Sequence, residues 1–139
     1  LVWRTHVQSP MLIIGELATK LRIFTTSYII FIGSIWGETG AAGETVYSAV
    51  KGAQHAFVKA YAKEAGLSGV RVNVIAPGFI DTKMNESLNE EERQVIENEI
   101  PLNQIGKPQD VANLVSFLTS GNGDYITGQV LRVNGGWYI

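Results

Sequence analysis

The chain has 139 residues, 45% of them hydrophobic and 17% charged, where an ordinary soluble domain carries roughly 25% charged residues. One domain or a piece of one, with enough apolar content for a single core, is therefore expected rather than a disordered chain, and the lack of cysteine excludes a disulfide, a thiolate nucleophile or a cysteine metal site. A net charge of −2 gives no field to draw in nucleic acid or an anionic membrane, and no apolar run approaches the ~20 residues of a spanning helix, so neither partner is expected and the cytoplasm is the default compartment.

The opening Leu1-Val2-Trp3 has neither Met nor a basic stretch, which leads to the expectation of no signal peptide and of a start inside something longer. Ser9-Pro10 reads as an N-cap followed by proline at the first helical position. Met11, Ile14, Ala18 and Leu21 then recur at steps of three and four, so a helix is predicted over 10–22. Tyr28 to Ile32 is an unbroken β-rich apolar run, the pattern of a strand covered on both faces. After a glycine-rich loop, Thr45 is the expected cap of a long helix that ends near Gly66, with Val50, Ala53, Phe57, Ala60 and Tyr61 as one face.

Val70 to Ala76 reads as the next strand, stopped by Pro77-Gly78, so 28–76 make a strand, helix, strand crossover of expected right-handed closure. Asn89 caps a predicted acidic helix over 90–99, whose Glu90, Glu91 and Glu92 suit the dipole at its start. Pro108 opens another helix, carrying Val111, Leu114, Val115 and Leu118, and Val130 to Val133 is the last strand. There is no internal repeat or linker tract. The expected fold is α/β, a partial Rossmann-like doubly wound parallel sheet with helices on both faces. The strand at 28–32 has no upstream partner in the sequence, which leaves an edge of the kind that invites aggregation.

Tyr47 and Lys51 stand four residues apart on the long helix, about 40° apart and about 6 Å along its axis, so they share a face. A phenol with a pKa of about 10 shuttles protons poorly at neutral pH, and an adjacent ammonium favours the phenolate. Lowering it by about three units takes about 4 kcal/mol, the energy of one unit charge at about 4 Å with an effective dielectric near 20. Alone, such a pair arises easily by chance. Ser34 adds weight because it follows the end of an apolar strand, where open α/β sheets bind ligands. A hydroxyl there can hold a substrate carbonyl while the tyrosine exchanges a proton with the same oxygen.

These residues, followed by Asn73-Val74-Ile75-Ala76-Pro77-Gly78-Phe79-Ile80-Asp81-Thr82, Tyr125-Ile126-Thr127-Gly128 and Val133-Asn134-Gly135-Gly136, resemble the second half of a short-chain dehydrogenase/reductase over nearly the whole chain. Within that family the Pro-Gly-Phe-Ile-Asp-Thr run and the Asn-Gly-Gly-Trp-Tyr tail are most similar to bacterial 3-oxoacyl-(acyl-carrier-protein) reductases. The resemblance implies that residues 1–139 are the C-terminal catalytic portion of one Rossmann-like domain. Tyr47 would be the general acid/base, Ser34 would orient the carbonyl, and Lys51 would hold the nicotinamide ribose while depressing the Tyr47 pKa. Pro77, Gly78, Ile80 and Thr82 would line the nicotinamide of NADP, or of NAD. A homodimer or homotetramer, an acyl-carrier-linked or other small-molecule substrate, and a mobile flap over 79–106 are further implications.

The family's glycine-rich pyrophosphate loop belongs to the first half and has no counterpart here. Gly37, Gly40 and Gly43 are spaced three and three, which is not G-x-G-x-x-G, and they read as loop flexibility. The isolated chain is therefore expected to be inactive. His6 stands where the family usually has an asparagine that relays protons toward the lysine, and no role is assigned to it. His55 reads as a partly exposed or helix-packing residue, and two distant histidines make no metal site. Asn85-Glu86-Ser87 reads as a polar turn rather than a glycan acceptor. Two alternatives remain: a sugar or secondary-alcohol dehydrogenase on the same scaffold, and a non-catalytic half-domain that assembles through Ala49, Ala53, Ala56 and Ala60 of the long helix.

Overall fold

A computed structural model describes every residue from Leu1 to Ile139. The elements in chain order are a π-helical turn Arg4–Gln8 running straight into α1 (Ser9–Leu21), β1 (Ser27–Ile32), a short α2 (Trp36–Thr39), α3 (Thr45–Ala65), β2 (Val70–Pro77), α4 (Glu90–Glu99), α5 (Pro108–Thr119) and β3 (Val130–Val133). The three strands form one parallel sheet in the order β1-β2-β3. Ser27 pairs with Val70 and Ile32 with Ile75, while Val74 pairs with Val130 and Pro77 with Val133. The expected partial doubly wound sheet is what the chain forms.

The core lies between that sheet and the helices α1 and α3: Ile14, Val58, Ala62 and Ala65 meet Phe31, Val70, Val72 and Val74. The alternate residues of β2 point the other way, where α5 packs against β1 and β2 and Leu118 is buried. One of them, Asn73, is buried and fully used. Its amide donates to the Ile126 carbonyl at 2.8 Å and its oxygen accepts from the Gln129 backbone at 3.0 Å. Thr127 Oγ1 accepts from the Val72 backbone at 3.0 Å. The Asn73 and Ile126-Thr127-Gly128 motifs thus fasten β3 to β2, since a buried polar group must find partners.

Three local expectations need correction. Ser9-Pro10 does not begin a helix, because the chain is already helical from the π turn and Ser9 makes no capping bond. Pro10 sits inside, and the wider turn accommodates a residue that lacks an N–H. Thr45 is the first helical residue of α3 rather than its cap; Glu44 precedes it without a side-chain capping bond. The run 28–32 is not fully covered, because Tyr28, Ile29 and Ile30 are half-buried and Ile32 is 48% exposed.

The buried stripe of α3 is also displaced from the one hydrophobicity suggested. Val50 is buried as expected, but Lys51, Gln54, His55, Val58, Ala62 and Ala65 complete the stripe, while Phe57 and Tyr61 are half-buried and Ala60 is exposed. Lys51 and Gln54 turn inward to backbone carbonyls of Ile32 and His6, and His55 turns inward into a space beside Gly33 and Gly37. α4 matches expectation: Asn89 Oδ1 accepts from the Glu92 backbone and Glu92 accepts from that of Asn89, both at 2.9 Å, a reciprocal capping box.

Candidate active site

Ser34 is placed by the end of the sheet. Past Ile32 the chain continues the parallel ladder: Gly33 N–H donates to Ile75 O at 2.7 Å and Ile35 N–H donates to Pro77 O at 3.2 Å. Ser34 is buried between them, and its Oγ accepts from the Trp36 backbone at 3.2 Å. The strand thus hands a rigid serine to the carboxyl edge of the sheet.

Tyr47 and Lys51 come from the first turns of α3 and do share a face. Lys51 is only 4% exposed. Its Nζ donates to Ile32 O at 2.9 Å and lies over the Tyr47 ring, 5.5 Å from the centroid, within cation–π range. Ser34, Tyr47 and Lys51 line one cavity of about 620 Å³, and Pro77, Gly78, Ile80 and Thr82 line it too. All seven residues singled out from sequence therefore meet in one place.

The electrostatics run against one expectation. Burial pushes the Tyr47 phenol above its ordinary value, a hydrogen bond with Ser34 acts in the opposite direction, and Glu44 adds to the rise. Burial likewise holds the Lys51 ammonium below its usual value. The expected depression of the Tyr47 pKa is not what this chain presents: desolvation, which disfavours the charged form of each group, is the largest influence on both Tyr47 and Lys51.

The segment 79–106 gives the cavity wall only its first residues, 79–85, and has its ends tied together. Asp81 N–H donates to Gly106 O at 2.8 Å and Gly106 N–H to Phe79 O at 3.1 Å. Met84 and Asn85 reach the cavity wall, and Asn85 donates to Ile80 O at 2.7 Å from a short 3₁₀ turn. That bond gives Asn85 a fold-based role, in line with a polar turn.

Sequence reading did not assign to the site the other wall residues, among them the apolar Ile35, Trp36, Phe79, Met84, Val111 and Trp137 and the charged Glu44. Trp36 meets Trp137 at 5.5 Å and Tyr138 at 5.1 Å between ring centroids, edge to face, the arrangement aromatic quadrupoles favour. The signal for Trp36 was its place two residues after Ser34. Trp137 stood in the Asn-Gly-Gly-Trp-Tyr tail, but its place beside Ser34, 103 positions away, is set only by the fold.

Two of the three loop glycines, Gly40 and Gly43, adopt positive φ, so they serve backbone conformation. Gly37 serves close approach, since a Cβ there would lie 2.6 Å from the His55 ring. His6 is half-buried, and its ring is held below its ordinary pKa by burial and by the Lys51 charge. Its backbone carbonyl is what the fold uses, accepting from Gln54 Nε2 at 2.6 Å.

The residues fit the nicotinamide end of a dinucleotide. Lys51 commits one of its three N–H bonds to Ile32, and the other two could meet the ribose hydroxyls of such a group. At Ile80 the carbonyl is taken by Asn85, which leaves the backbone N–H as the group available to an amide oxygen. Neither Gly40 nor Gly43 lines this cavity, so these loop glycines do not build a phosphate cradle beside it.

A parallel α/β sheet with a serine, a tyrosine and a lysine converging at its carboxyl edge forms half of a Rossmann-like doubly wound fold. A family model described as enoyl-(acyl carrier protein) reductase matches residues 1–138. An uncharacterized oxidoreductase of Bacillus subtilis, YmfI, is 46% identical over 133 residues, which cover 96% of this chain and 55% of that protein. The 3-oxoacyl-[acyl-carrier-protein] reductase FabG of Escherichia coli is 43% identical over 111 residues, 80% of this chain and 46% of the relative. A crystal structure of a short-chain dehydrogenase/reductase from Brucella melitensis, titled a glucose/ribitol dehydrogenase, superposes with a TM-score of 0.77 at 33% identity, covering 81% of this chain and 46% of that one. The chain belongs to the short-chain dehydrogenase/reductase family. It spans about half the length of the relatives it matches.

Proposed function

We propose that this chain is the catalytic portion of an NAD(P)H-dependent carbonyl reductase whose substrate is a 3-oxoacyl thioester, with NADP, or alternatively NAD, as cofactor. The observation that carries the proposal is the convergence of Ser34, Tyr47 and Lys51 on one cavity lined also by Pro77, Gly78, Ile80 and Thr82. The reduced nicotinamide, when bound, supplies a hydride to the carbonyl carbon. Ser34 donates its hydroxyl to the carbonyl oxygen and fixes its place. Tyr47 gives its proton to that oxygen as the alcohol forms, and its raised pKa keeps the proton on the phenol until it is needed. Lys51, held by Ile32 O, offers its remaining N–H groups to the ribose and stabilises the phenolate left behind.

The acyl reading is favoured over a polyol by the wall. Ile35, Trp36, Phe79, Met84, Val111 and Trp137 offer apolar contact, whereas a sugar's hydroxyls would need partners there. The oligomerisation reading has its own support, because Ala49, Ala56 and Ala60 lie exposed along α3; assembly as a dimer or tetramer, and a cytoplasmic location, belong to the same proposal. The test is Tyr47→Phe in the full polypeptide that contains residues 1–139. Loss of about 10²-fold or more in turnover, the range for a removed general acid, is expected with 3-oxoacyl thioesters. Unchanged cofactor-dependent turnover overturns the assignment, and turnover of polyols but not thioesters favours the sugar-dehydrogenase alternative.

A further inference from the structure

His55 is the polar residue of α3 that the reaction above does not use. It lies one turn beyond Lys51 and two beyond Tyr47 on the same helix. The residue is 4% exposed, and neither Nδ1 nor Nε2 has a hydrogen-bond partner. A buried polar ring without partners costs free energy, so its retention asks for a reason in what it touches.

What it touches is the segment carrying Ser34. A Cβ on Gly33 would lie 2.6 Å from His55 Nε2 and 2.6 Å from Val74 Cγ1. A Cβ on Gly37 would lie 2.6 Å from His55 Cε1 and 2.8 Å from the Lys51 carbonyl carbon. The imidazole therefore fills a slot that exists only because both residues bracketing Ser34, Ile35 and Trp36 lack side chains. Gly33 is held to β2 by its N–H, so the ring and the sheet clasp the serine segment from two sides.

We propose that His55 is a positioning residue for Ser34: its neutral ring, wedged between Gly33 and Gly37, holds the serine hydroxyl in register with Tyr47, and a proton on that ring unseats it. The inference rests on the reading of Ser34 as the group that holds the carbonyl.

A charge in that slot would have no hydrogen-bonding partner, which makes the protonated form expensive. The charged groups around it are few. α2 contributes the Glu38 carboxylate, which favours protonation but is paired with Arg132 of β3 at 2.8 Å. α3 contributes Lys51 and Lys59, which oppose it. The strand contacts, Gly33 and Val74, bring no titratable group. Burial is the largest influence and holds the ring below its ordinary value. The native state thus binds this proton less tightly than the unfolded chain does, so stability declines as pH falls below about 6.5, and the seated ring takes up its proton at a lower pH than a free imidazole does.

The experiment compares the wild type, His55→Leu, His55→Ala and Ser34→Ala in the full polypeptide that contains residues 1–139. It records kcat and KM from pH 5 to 8, melting temperature at pH 7.5, and the histidine ring signals by NMR. Leucine fills most of the slot and cannot titrate; alanine leaves it open. Expected are an acid limb in wild-type kcat that tracks titration of the His55 ring and its absence in both His55 variants. At pH 7.5 kcat should fall about threefold with leucine and about tenfold with alanine, with cofactor KM unchanged. Should His55→Ala fail to fold, His55→Leu carries the same readouts. Persistence of the acid limb in His55→Leu, or a wild type with no such limb, overturns the proposal. If Ser34→Ala keeps wild-type turnover, the reading of the site has failed instead; if it collapses while the limb persists in His55→Leu, only the role of His55 has failed.

Discussion

The backbone carbonyl of His6 accepts a hydrogen bond from the side-chain amide of Gln54 at 2.6 Å, across 48 positions of sequence. Proline 10, four residues after His6, has no N–H to donate to that carbonyl. The side chain of α3 supplies the missing donor, and the π turn at the start of the chain is thereby pinned beside the helix that carries Tyr47 and Lys51.

Replacing Gln54 with leucine removes that donor from the half-buried His6 residue. A loss of about 0.5–1.5 kcal/mol is expected, softened because Gln54 Oε1 is itself unpartnered in the wild type. Urea denaturation of the wild type and Gln54→Leu side by side measures it. Equal midpoints would show that the π turn holds without this bond.

Lys51 carries a charge in a buried place, with one hydrogen bond to Ile32 O as compensation. Burial lowers its pKa in the native state, so the native chain holds this proton less tightly than the unfolded one. The burden is present at neutral pH and relieved as pH rises toward about 10.5. Lys51→Met should therefore raise the melting temperature at pH 7 while abolishing turnover, the exchange of stability for activity common at functional sites. A lower melting temperature would mean that the bond to Ile32 outweighs the cost of the charge.

Residues 1–139 offer a nicotinamide pocket without the first half's phosphate-binding loop. The isolated chain is therefore expected to show no reductase activity and no tight dinucleotide binding. Titration calorimetry with NADPH and NADH checks this directly, and micromolar affinity for residues 1–139 alone would contradict it.

Much of the fold was legible because local rules agree with the tertiary structure in those places. The capping box at Asn89, proline at the start of α5, and the apolar runs of β2 and β3 each state their element without reference to anything distant. Pro10 misled because its meaning depends on what precedes it: inside a helix it marks a widened turn rather than a start. The stripe on α3 misled for a related reason. Hydrophobicity points Phe57 and Tyr61 at the core, where they pack half-buried, but it gives no sign that Gln54 and His55 are buried beside them, since a freed carbonyl and a slot between glycines exist only in the assembled fold.

What the sequence determined by itself is the chemical set: a tyrosine and a lysine one helical turn apart, a serine at the end of a strand, and the proline-glycine segment that ends the next strand. Those relationships are short-range, governed by helix pitch and strand direction. Only the tertiary structure decided that Ile35, Trp36, Met84, Val111 and Trp137 join the polar set in one cavity wall, that His55 sits behind Ser34, and that Tyr47 and Lys51 are desolvated enough for burial to oppose their charges. Burial and contact across 50 or 100 positions depend on how the layers pack, and no local pattern encodes them.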